Sequence, residues 1–264
     1  MNFDKIVKDL TFMPKMSIEM LDTREVRGVI LGGGRGTRLL PLTREVNKHL
    51  LPVGDRPLIF YAVEQLLKAD VKDILLLIDE QYASRFMEVL KDGSHLGVRS
   101  LAYVWQPPEG RGLPTAIAQV EPFCKDGKIV VACGDVIIEN GIVKPVEDFM
   151  GQSDGARLVA TEMENTAGYS LLETNENRVS NILSKDAERH QKGLIDLGVY
   201  MYHPEVFERI RGLIPSQRGE TEIWDLNNLY VKEGKLNYTL VEGWWADVGN
   251  SVKTYTEANR RYSK

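Results

Sequence analysis

The hydrophobic pattern in the first half of the chain alternates between two periods. Short continuous apolar runs are typical of strands buried on both faces, and they predict strands at 29–31, 73–79, 101–106 and 128–133. Between these runs, apolar residues recur at helical spacing, which predicts helices at 57–70, 81–91 and 113–123. Because strands that alternate with helices are joined by right-handed crossovers, we expect a mostly parallel sheet flanked by helices.

The second half of the chain has shorter β-like segments separated by polar turns. Strands are predicted at 157–161, 169–173, 179–183, 194–202 and 236–241, and helices at 205–213, 222–232 and 252–262. The sequence contains no repeat and no linker rich in Ser, Gly or Pro. We therefore expect an α/β protein with an N-terminal arm (1–25) and one continuous domain (26–264), divided into a parallel half (26–155) and a smaller mixed β half (156–264).

A glycine-rich loop follows the first predicted strand. It contains Gly32, Gly33, Gly34 and Gly36, followed by Thr37 and Arg38, with Lys48 further on. Glycine readily adopts positive φ, so several N–H groups can turn toward one anion while Arg38 and Lys48 add positive charge. A tight turn is the alternative, although a single glycine would be enough for it. We call residues 32–38 the glycine loop and interpret it as a phosphate clamp.

The spacing of the glycine loop excludes the two commonest phosphate-binding motifs. A P-loop requires Gly-Lys-Ser/Thr where this chain has Gly36-Thr37-Arg38. The dinucleotide fingerprint requires a third glycine where this chain has Thr37. The remaining interpretation is a loop that holds a triphosphate and ends in an arginine.

Two aspartates are candidate metal ligands. Asp135 ends the apolar strand V-V-A-C-G-D, and Asp247 follows an aromatic pair in W-W-A-D-V-G. A carboxylate in such a place needs a partner, and Mg²⁺ binds through one or two carboxylates together with substrate phosphates. The alternative is a loop cap or a carboxylate that accepts backbone N–H bonds. Its position at the end of a strand favours the metal for Asp135, whereas Asp247 stays open between the two interpretations.

The candidate residues converge on one edge of the predicted sheet. Ligands of parallel α/β sheets bind beyond the carboxyl ends of the strands, and the glycine loop, Gln106 and Asp135 each follow such an end. Of the four histidines, which share no metal-ligand spacing, His49 lies beside Lys48 and is expected to face the substrate.

Composition limits the other possibilities. The chain has 264 residues, a formal charge of −5 and two cysteines, Cys124 and Cys133. The negative charge argues against a nucleic-acid or membrane partner, and two cysteines do not suggest a disulfide framework. The first 25 residues lack the apolar core of a signal peptide, and no segment approaches the ~20 apolar residues that span a bilayer. We therefore expect a cytoplasmic protein.

Several separated blocks resemble the sugar-1-phosphate nucleotidyltransferases, and most closely the glucose-1-phosphate thymidylyltransferases. They are G-V-I-L-G-G-G-R-G-T-R-L-L-P-L-T, N-K-H-L-L-P-V-G-D-R-P-L-I, D-G-S-H-L-G-V-R-S-L-A-Y-V-W-Q-P, G-L-P-T-A-I-A, C-G-D, R-G-E-T-E-I-W-D-L-N and W-W-A-D-V-G. The resemblance covers 26–264 in the family's order and implies a Rossmann-like fold of the nucleotide-diphospho-sugar transferase type. It also implies a reaction in which an NTP and a sugar 1-phosphate give an NDP-sugar and pyrophosphate, with 26–155 binding the nucleotide and 156–264 the sugar phosphate.

The resemblance also implies a role for each candidate residue. Arg38 and Lys48 would hold the triphosphate, and Asp135 and Asp247 would bind Mg²⁺. Leu31, Gly32, Gly33, Gly34, Gly36 and Thr37 would line the nucleotide site, with Gln106 and the backbone near Gly112 at the base. His49, Val136, Tyr169, Ser184, Lys185 and Arg218 would form the sugar-phosphate side. Relatives are often homo-oligomers, so we expect one here.

The chain departs from its relatives mainly on the sugar side. Val136 stands where Asn is usual, Ser170 where Gly is usual, and Ser184 where the relatives have the Glu of Glu-Lys-Pro. Lys185 is retained, while the segment from Gln106 to Gly112 is longer by one residue and His49 replaces a Gln. We expect the nucleotide to be dTTP or UTP and the acceptor to differ from glucose 1-phosphate, either as another sugar phosphate or as another phosphorylated alcohol. A catalytically silent nucleotide sensor is the alternative.

Overall fold

The computed structural model describes residues 26–106, 112–185, 188, 190–217 and 219–263. The strands are β1 (Val26–Leu31), β2 (Pro52–Val53), β3 (Arg56–Pro57), β4 (Asp73–Ile78), β5 (Ser100–Trp105), β6 (Lys128–Cys133), β7 (Val136–Ile138), β8 (Ala156–Met163), β9 (Leu171–Asn175), β10 (Arg178–Leu183), β11 (Gly193–Tyr202), β12 (Leu236–Leu240) and β13 (Trp245–Asp247). The helices are α1 (Ile59–Lys68), α2 (Ala83–Leu90), α3 (Leu113–Ala118), α4 (Glu121–Cys124), α5 (Val143–Met150), α6 (Val206–Arg211), α7 (Ile223–Lys232) and α8 (Val252–Tyr262). None of the described helices is both long and apolar enough to cross a membrane.

The parallel part of the sheet is buried on both faces, as the continuous apolar runs predict. Strands β5, β4, β1 and β6 pair in that order, all in parallel. Along β1, Val29 and Leu31 pack into one core with α3, α6 and α7, whereas Ile30 packs into a second core with α1, α2 and α5. Alternate residues of one strand thus anchor helices on opposite faces, which makes the expected α/β layering correct.

The second half continues the same sheet with mixed pairing. Strand β11 runs antiparallel to both β6 and β8, and β12 joins β8 in parallel. Strands β10 and β9 follow, and β9 also pairs with β11 through Leu172 and Leu171. Strands β8 to β12 therefore form a closed ring attached to the parallel sheet through the long strand β11.

A small two-stranded sheet returns the end of the chain to the centre of the molecule. Strand β13 pairs antiparallel with β7, with Asp247 opposite Val136. Helix α8 follows and begins with a capping box at Ser251 and Thr254. The side chain of Asn259 accepts a hydrogen bond from Gly54 N, so the helix is tied to the β2–β3 hairpin.

The structure differs from the predicted elements in a few places. The single helix expected at 113–123 is two helices, α3 and α4, because Pro122 has no N–H and is tolerated only in the first turn of a new helix. The strand expected at 169–173 begins two residues later, since Tyr169 N donates to Thr166 O in a turn. Helix α5, strands β7 and β13 and the β2–β3 hairpin were not predicted from the sequence.

Candidate active site

The glycine loop is held in shape by the backbone of β4 and by side chains from the residues that follow. Gly32 N donates to Leu77 O at 2.8 Å, which extends the β1–β4 pairing by one residue. Gly34 and Gly36 have φ of 108° and 59°, in the region that favours glycine. Thr43 Oγ1 donates to Gly36 O at 2.7 Å, and Asn47 Nδ2 donates to Gly32 O at 3.3 Å. The loop is therefore preorganised around an open space beyond β1.

Gln106 and Asp79 lie over the middle of the glycine loop. Gln106 N donates to Ile78 O, which places the Gln106 side chain beside the end of β4. A Cβ at Gly33 would lie 2.2 Å from Gln106 Oε1 and 3.2 Å from Asp79 Oδ1, so a side chain at this position would require the Gln106 side chain to move. Asp79 Oδ2 also accepts a hydrogen bond of 3.0 Å from Gly34 N.

The backbone at Gly112 packs closely against the backbone of Thr221. It has a φ of 104°, and a Cβ there would lie 1.9 Å from Thr221 O. Thr221 in turn contacts Thr115, whose N donates to Thr221 Oγ1 at 3.2 Å. The backbone at Gly112 is thus held against the segment before α7.

Lys48 and Asp135 form an ion pair beside the glycine loop. Lys48 begins a short 3-10 turn capped by Asn47, and its Nζ lies 2.5 Å from Asp135 Oδ2. Burial opposes both charges, but their mutual attraction dominates, so the pKa of Lys48 is raised and the pKa of Asp135 falls to about 2. A Cβ at Gly249 would lie 2.1 Å from Asp135 Oδ2, so this glycine leaves room for the pair.

Asp247 is placed beside this ion pair by the pairing of β7 with β13. Val248 N donates to Asp135 O at 2.9 Å, which joins the two aspartate segments directly. Burial, and then the negative charge of Asp135, raise the pKa of Asp247 to about 6. Among the described residues, no side chain or backbone N–H donates a hydrogen bond to the Asp247 carboxylate. Asp247 is thus a second carboxylate beside Asp135, and its negative charge is poorly compensated. A divalent cation bound by the oxygens of both carboxylates would compensate this charge.

His49 and Val136, both expected on the acceptor side, are buried. His49 is 1% exposed, its ring contacts the Asn47 side chain, and its Cδ2 lies 2.9 Å from the position of a Cβ on Gly134. Burial and the charge of Lys48 lower the pKa of His49 to about 3, so the ring is neutral. Val136 is 6% exposed and packs in the core near Gly198. Both side chains are therefore packed among protein groups.

Tyr169, which is expected on the acceptor side, is linked to Arg38 of the glycine loop through Asn250. Asn250 Oδ1 accepts a hydrogen bond of 3.2 Å from Arg38 Nη1, and Asn250 Nδ2 donates to Tyr169 Oη at 3.5 Å. The Tyr169 ring meets the Trp245 ring edge-on at 5.9 Å. Burial and the charge of Asp247 raise the pKa of Tyr169 to about 12, so the phenol stays protonated. Asn250 therefore links the two halves of the site.

Ser184 and Lys185 are exposed and directly follow β10. Burial raises the pKa of Asp247, and the positive charge of Lys185 offsets a small part of that rise, which indicates that the ammonium lies near this carboxylate. Arg218, also expected on this side, lies outside the described residues.

Sequence reasoning missed Asp79, Asn47, Trp245, Gly249 and Asn250. Three of these lie within three residues of Asp247 in W-W-A-D-V-G-N, and Asn47 directly precedes Lys48. Proximity to a candidate ligand was the available signal for them. Asp79 gave a different signal, because it directly follows a buried strand, as Gln106 and Asp135 do.

Together, the fold and the site define an α/β protein whose glycine loop, at the carboxyl end of a parallel strand, lies beside the Lys48–Asp135 ion pair, with Asp247 brought next to that pair by the antiparallel β7–β13 sheet. A family model for nucleotidyl transferases matches residues 27–264. The chain is 32% identical over 237 residues to the glucose-1-phosphate thymidylyltransferase of Neisseria meningitidis, which covers 89% of this chain and 82% of that protein. The chain therefore belongs to the nucleotidyl transferase family.

Solved structures agree with this assignment. A Bacillus anthracis structure assigned as a glucose-1-phosphate thymidylyltransferase, in complex with sucrose, is 34% identical and matches with a TM-score of 0.83 over 90% of this chain and 95% of that one. A UDP-glucose pyrophosphorylase in complex with UDP-glucose matches with a TM-score of 0.77 at 22% identity over 89% of this chain and 97% of that one, a likeness of fold alone. The nucleotide-diphospho-sugar transferase fold expected from the sequence is confirmed.

Proposed function

We propose that the chain catalyses the Mg²⁺-dependent transfer of a nucleotidyl group from dTTP or UTP to a sugar 1-phosphate, forming an NDP-sugar and releasing pyrophosphate. The observation that carries the proposal is the convergence of Lys48, Asp135 and Asp247 beside the glycine loop. The names of the relatives support the same reaction class. The nucleotide half would hold the triphosphate, and residues 156–264 would hold the acceptor, the sugar phosphate that attacks.

The proposed nucleotidyl transfer depends on charge neutralisation more than on proton transfer. A phosphate oxygen of the acceptor attacks the α-phosphorus, a new P–O bond forms, and the bond to the β-phosphate oxygen breaks as pyrophosphate leaves in line. The attacking oxygen is already anionic, so no general base is needed. Two polyanions must instead be brought together, and Arg38, Lys48 and Lys185 supply the positive charge.

Asp135 and Asp247 would hold the Mg²⁺ ion. The described residues contain no group of three or more Asp, Glu, His or Cys side chains that could hold a metal alone. Two carboxylates match a Mg²⁺ ion that takes its other ligands from water and from the nucleotide. When bound, the ion would neutralise charge on the triphosphate.

The acceptor pocket supports an acceptor other than glucose 1-phosphate. Ser184 replaces the carboxylate that precedes the lysine in relatives, and Lys185 keeps the charge that a phosphate needs. Tyr169 presents a protonated phenol hydroxyl beside Trp245, a surface suited to a sugar ring or to another phosphorylated alcohol.

The test is a matrix of nucleoside triphosphates against sugar 1-phosphates and other phosphorylated alcohols, followed by pyrophosphate release with and without Mg²⁺. We expect turnover with at least one pair, dependent on Mg²⁺ and abolished by a chelator. Nucleotide binding without turnover of any pair would replace this proposal with the sensing function. Binding would be measured by calorimetry in the same buffers.

A further inference from the structure

Asp79 is a carboxylate at the nucleotide site that the roles above do not use. It directly follows β4, the strand next to the glycine-loop strand β1. Its Oδ2 accepts the hydrogen bond from Gly34 N at 3.0 Å, and its Oδ1 faces the space over Gly33. Within the described part of the chain, Gly34 N is the one hydrogen-bond donor to this side chain. Lone pairs on both oxygens therefore stay available to a ligand.

Asp79 would lie between the base and the triphosphate of a bound nucleotide. This step rests on the proposed function, in which the glycine loop holds the triphosphate and Gln106 lies at the base. Asp79 contacts the loop at Gly34, and its Oδ1 and the Gln106 side chain both lie close to Gly33. Since the ribose joins base to phosphates, a nucleotide that spans these two sites must carry its ribose past Asp79.

The chemistry of a carboxylate narrows which nucleotide group it can contact. An ionised carboxylate only accepts hydrogen bonds and repels phosphate, so its partners must be donors. The vicinal 2′- and 3′-hydroxyls of a ribose are two adjacent donors. In dinucleotide-binding folds an acidic residue downstream of the glycine loop accepts the hydrogen bond of a ribose 2′-hydroxyl.

We propose that Asp79 is a specificity-determining residue that binds the ribose hydroxyls and selects ribonucleoside triphosphates over 2′-deoxy ones. The sequence predicts either UTP or dTTP as the nucleotide, and a contact between Asp79 and the ribose hydroxyls favours UTP. A deoxyribose would leave one carboxylate lone pair without its donor, and a hydrogen bond to a charged group is worth about 10- to 100-fold in affinity.

The experiment compares UTP with dUTP, which differ only in the 2′-hydroxyl, in the wild type and in Asp79→Ala. We expect the wild type to use UTP about 10- to 100-fold better in kcat/KM. In Asp79→Ala the ratio should fall close to one, mainly through loss of UTP use. Glu80→Ala is the matched control, because it removes an exposed negative charge one residue away and should keep the wild-type ratio.

Calorimetric binding of the same two nucleotides, without acceptor, separates this inference from the proposed function. A preference for UTP in binding that Asp79→Ala removes supports the inference even where no pair turns over. Equal binding of UTP and dUTP by the wild type would overturn it. So would an equal gain for both nucleotides in Asp79→Ala, because the carboxylate would then merely compete with phosphate for Gly34 N–H. Asp79→Asn, which can still accept that hydrogen bond, gives the same comparison if Asp79→Ala does not fold.

Discussion

The residues of the proposed nucleotide half and those of the proposed acceptor half are held in place in different ways. In the nucleotide half, side chains of Thr43 and Asn47 hold the glycine loop, and Lys48 is fixed by its ion pair with Asp135. In the acceptor half, Tyr169 lies in a turn, and Ser184 and Lys185 are exposed at a strand end. The residues proposed to handle charge are therefore preorganised, while those proposed to recognise the acceptor lie on surface segments, which tolerate substitution.

The two aspartates also differ in how well their negative charges are compensated. Asp135 comes from the nucleotide half and has its charge compensated by Lys48, whereas Asp247 comes from the acceptor half and has a raised pKa. The Lys48–Asp135 ion pair therefore stabilises the folded protein, whereas the ionised form of Asp247 destabilises it.

Replacing each aspartate by asparagine should have the largest effect and should separate the two roles. We expect Asp135→Asn and Asp247→Asn each to lower kcat at least ~100-fold, the scale of one lost transition-state contact. Asp135→Asn should also destabilise the fold by about 3 kcal/mol, because it leaves Lys48 buried without its counter-charge. Steady-state kinetics and denaturant unfolding measure the two effects.

The sign of the stability effect is opposite for Asp247. A folded-state pKa of about 6, above the ordinary value of 3.8, means that stability is lost as pH rises between these values. Asp247→Asn should therefore be more stable than the wild type above pH 7, by on the order of 1 kcal/mol in metal-free buffer. Equal destabilisation by both variants would contradict the distinction drawn between the two carboxylates.

Gly249→Ala should disturb the ion pair without changing any charge. The added methyl would lie 2.1 Å from Asp135 Oδ2 and 3.2 Å from Lys48 Nζ, so the pair must move. We expect kcat to fall by about 10- to 100-fold, since a displacement near 1 Å can cost that much. Gly151→Ala is the matched control, because its nearest neighbours would be 3.8 Å away. Similar kinetics for both variants would show that the pair adapts.

Asn250→Ala should remove the link between Arg38 and Tyr169, with a smaller effect on activity. It removes the hydrogen bonds to Arg38 and Tyr169, and we expect kcat/KM to fall about 10-fold, the scale of one hydrogen bond to a charged group. Asn140→Ala, which loses one hydrogen bond of 2.9 Å to Glu242 O away from the site, serves as the control. Tyr169→Phe should add little in the Asn250→Ala background, and full additivity in this double-mutant cycle would remove the link.

Ser184→Glu should have the smallest effect and should act on the acceptor alone. Restoring the carboxylate that relatives have before Lys185 is expected to improve kcat/KM for glucose 1-phosphate about 3-fold to 10-fold, as one additional hydrogen bond would. The KM for the nucleotide should not change. An unchanged preference among the sugar phosphates would place the specificity elsewhere in residues 156–264.

The sequence could predict those parts of the fold that local patterns determine. Apolar runs identified the parallel strands because a strand covered on both faces needs continuous burial. Strands β7 and β13 gave no such signal, since each has three residues and is defined by its partner about a hundred residues away. Helix α5 was missed because Pro145 resembles a helix breaker, although proline is tolerated in the first turn.

The site could be predicted where its chemistry is local. Glycine spacing identified the glycine loop, and a strand end identified Asp135. The contacts of Asp79, Gly249 and Asn250 required the fold, because each acts on a group distant in sequence: Gly34, Asp135 and Arg38. The burial of His49 also required the fold, because its neighbour Lys48 gave no indication that the ring packs inside the protein.

The ring of strands β8 to β12 has a consequence for the order in which the protein is made. Strand β12 lies between β8 and β10 in the sheet, although both leave the ribosome before it. The ring therefore cannot close until residues 236–240 have been synthesised, and Asp247 reaches Asp135 only after that. A nascent chain carries its glycine loop and the Lys48–Asp135 pair long before it has a second carboxylate. The proposed metal site is thus completed only after residue 247 has been synthesised.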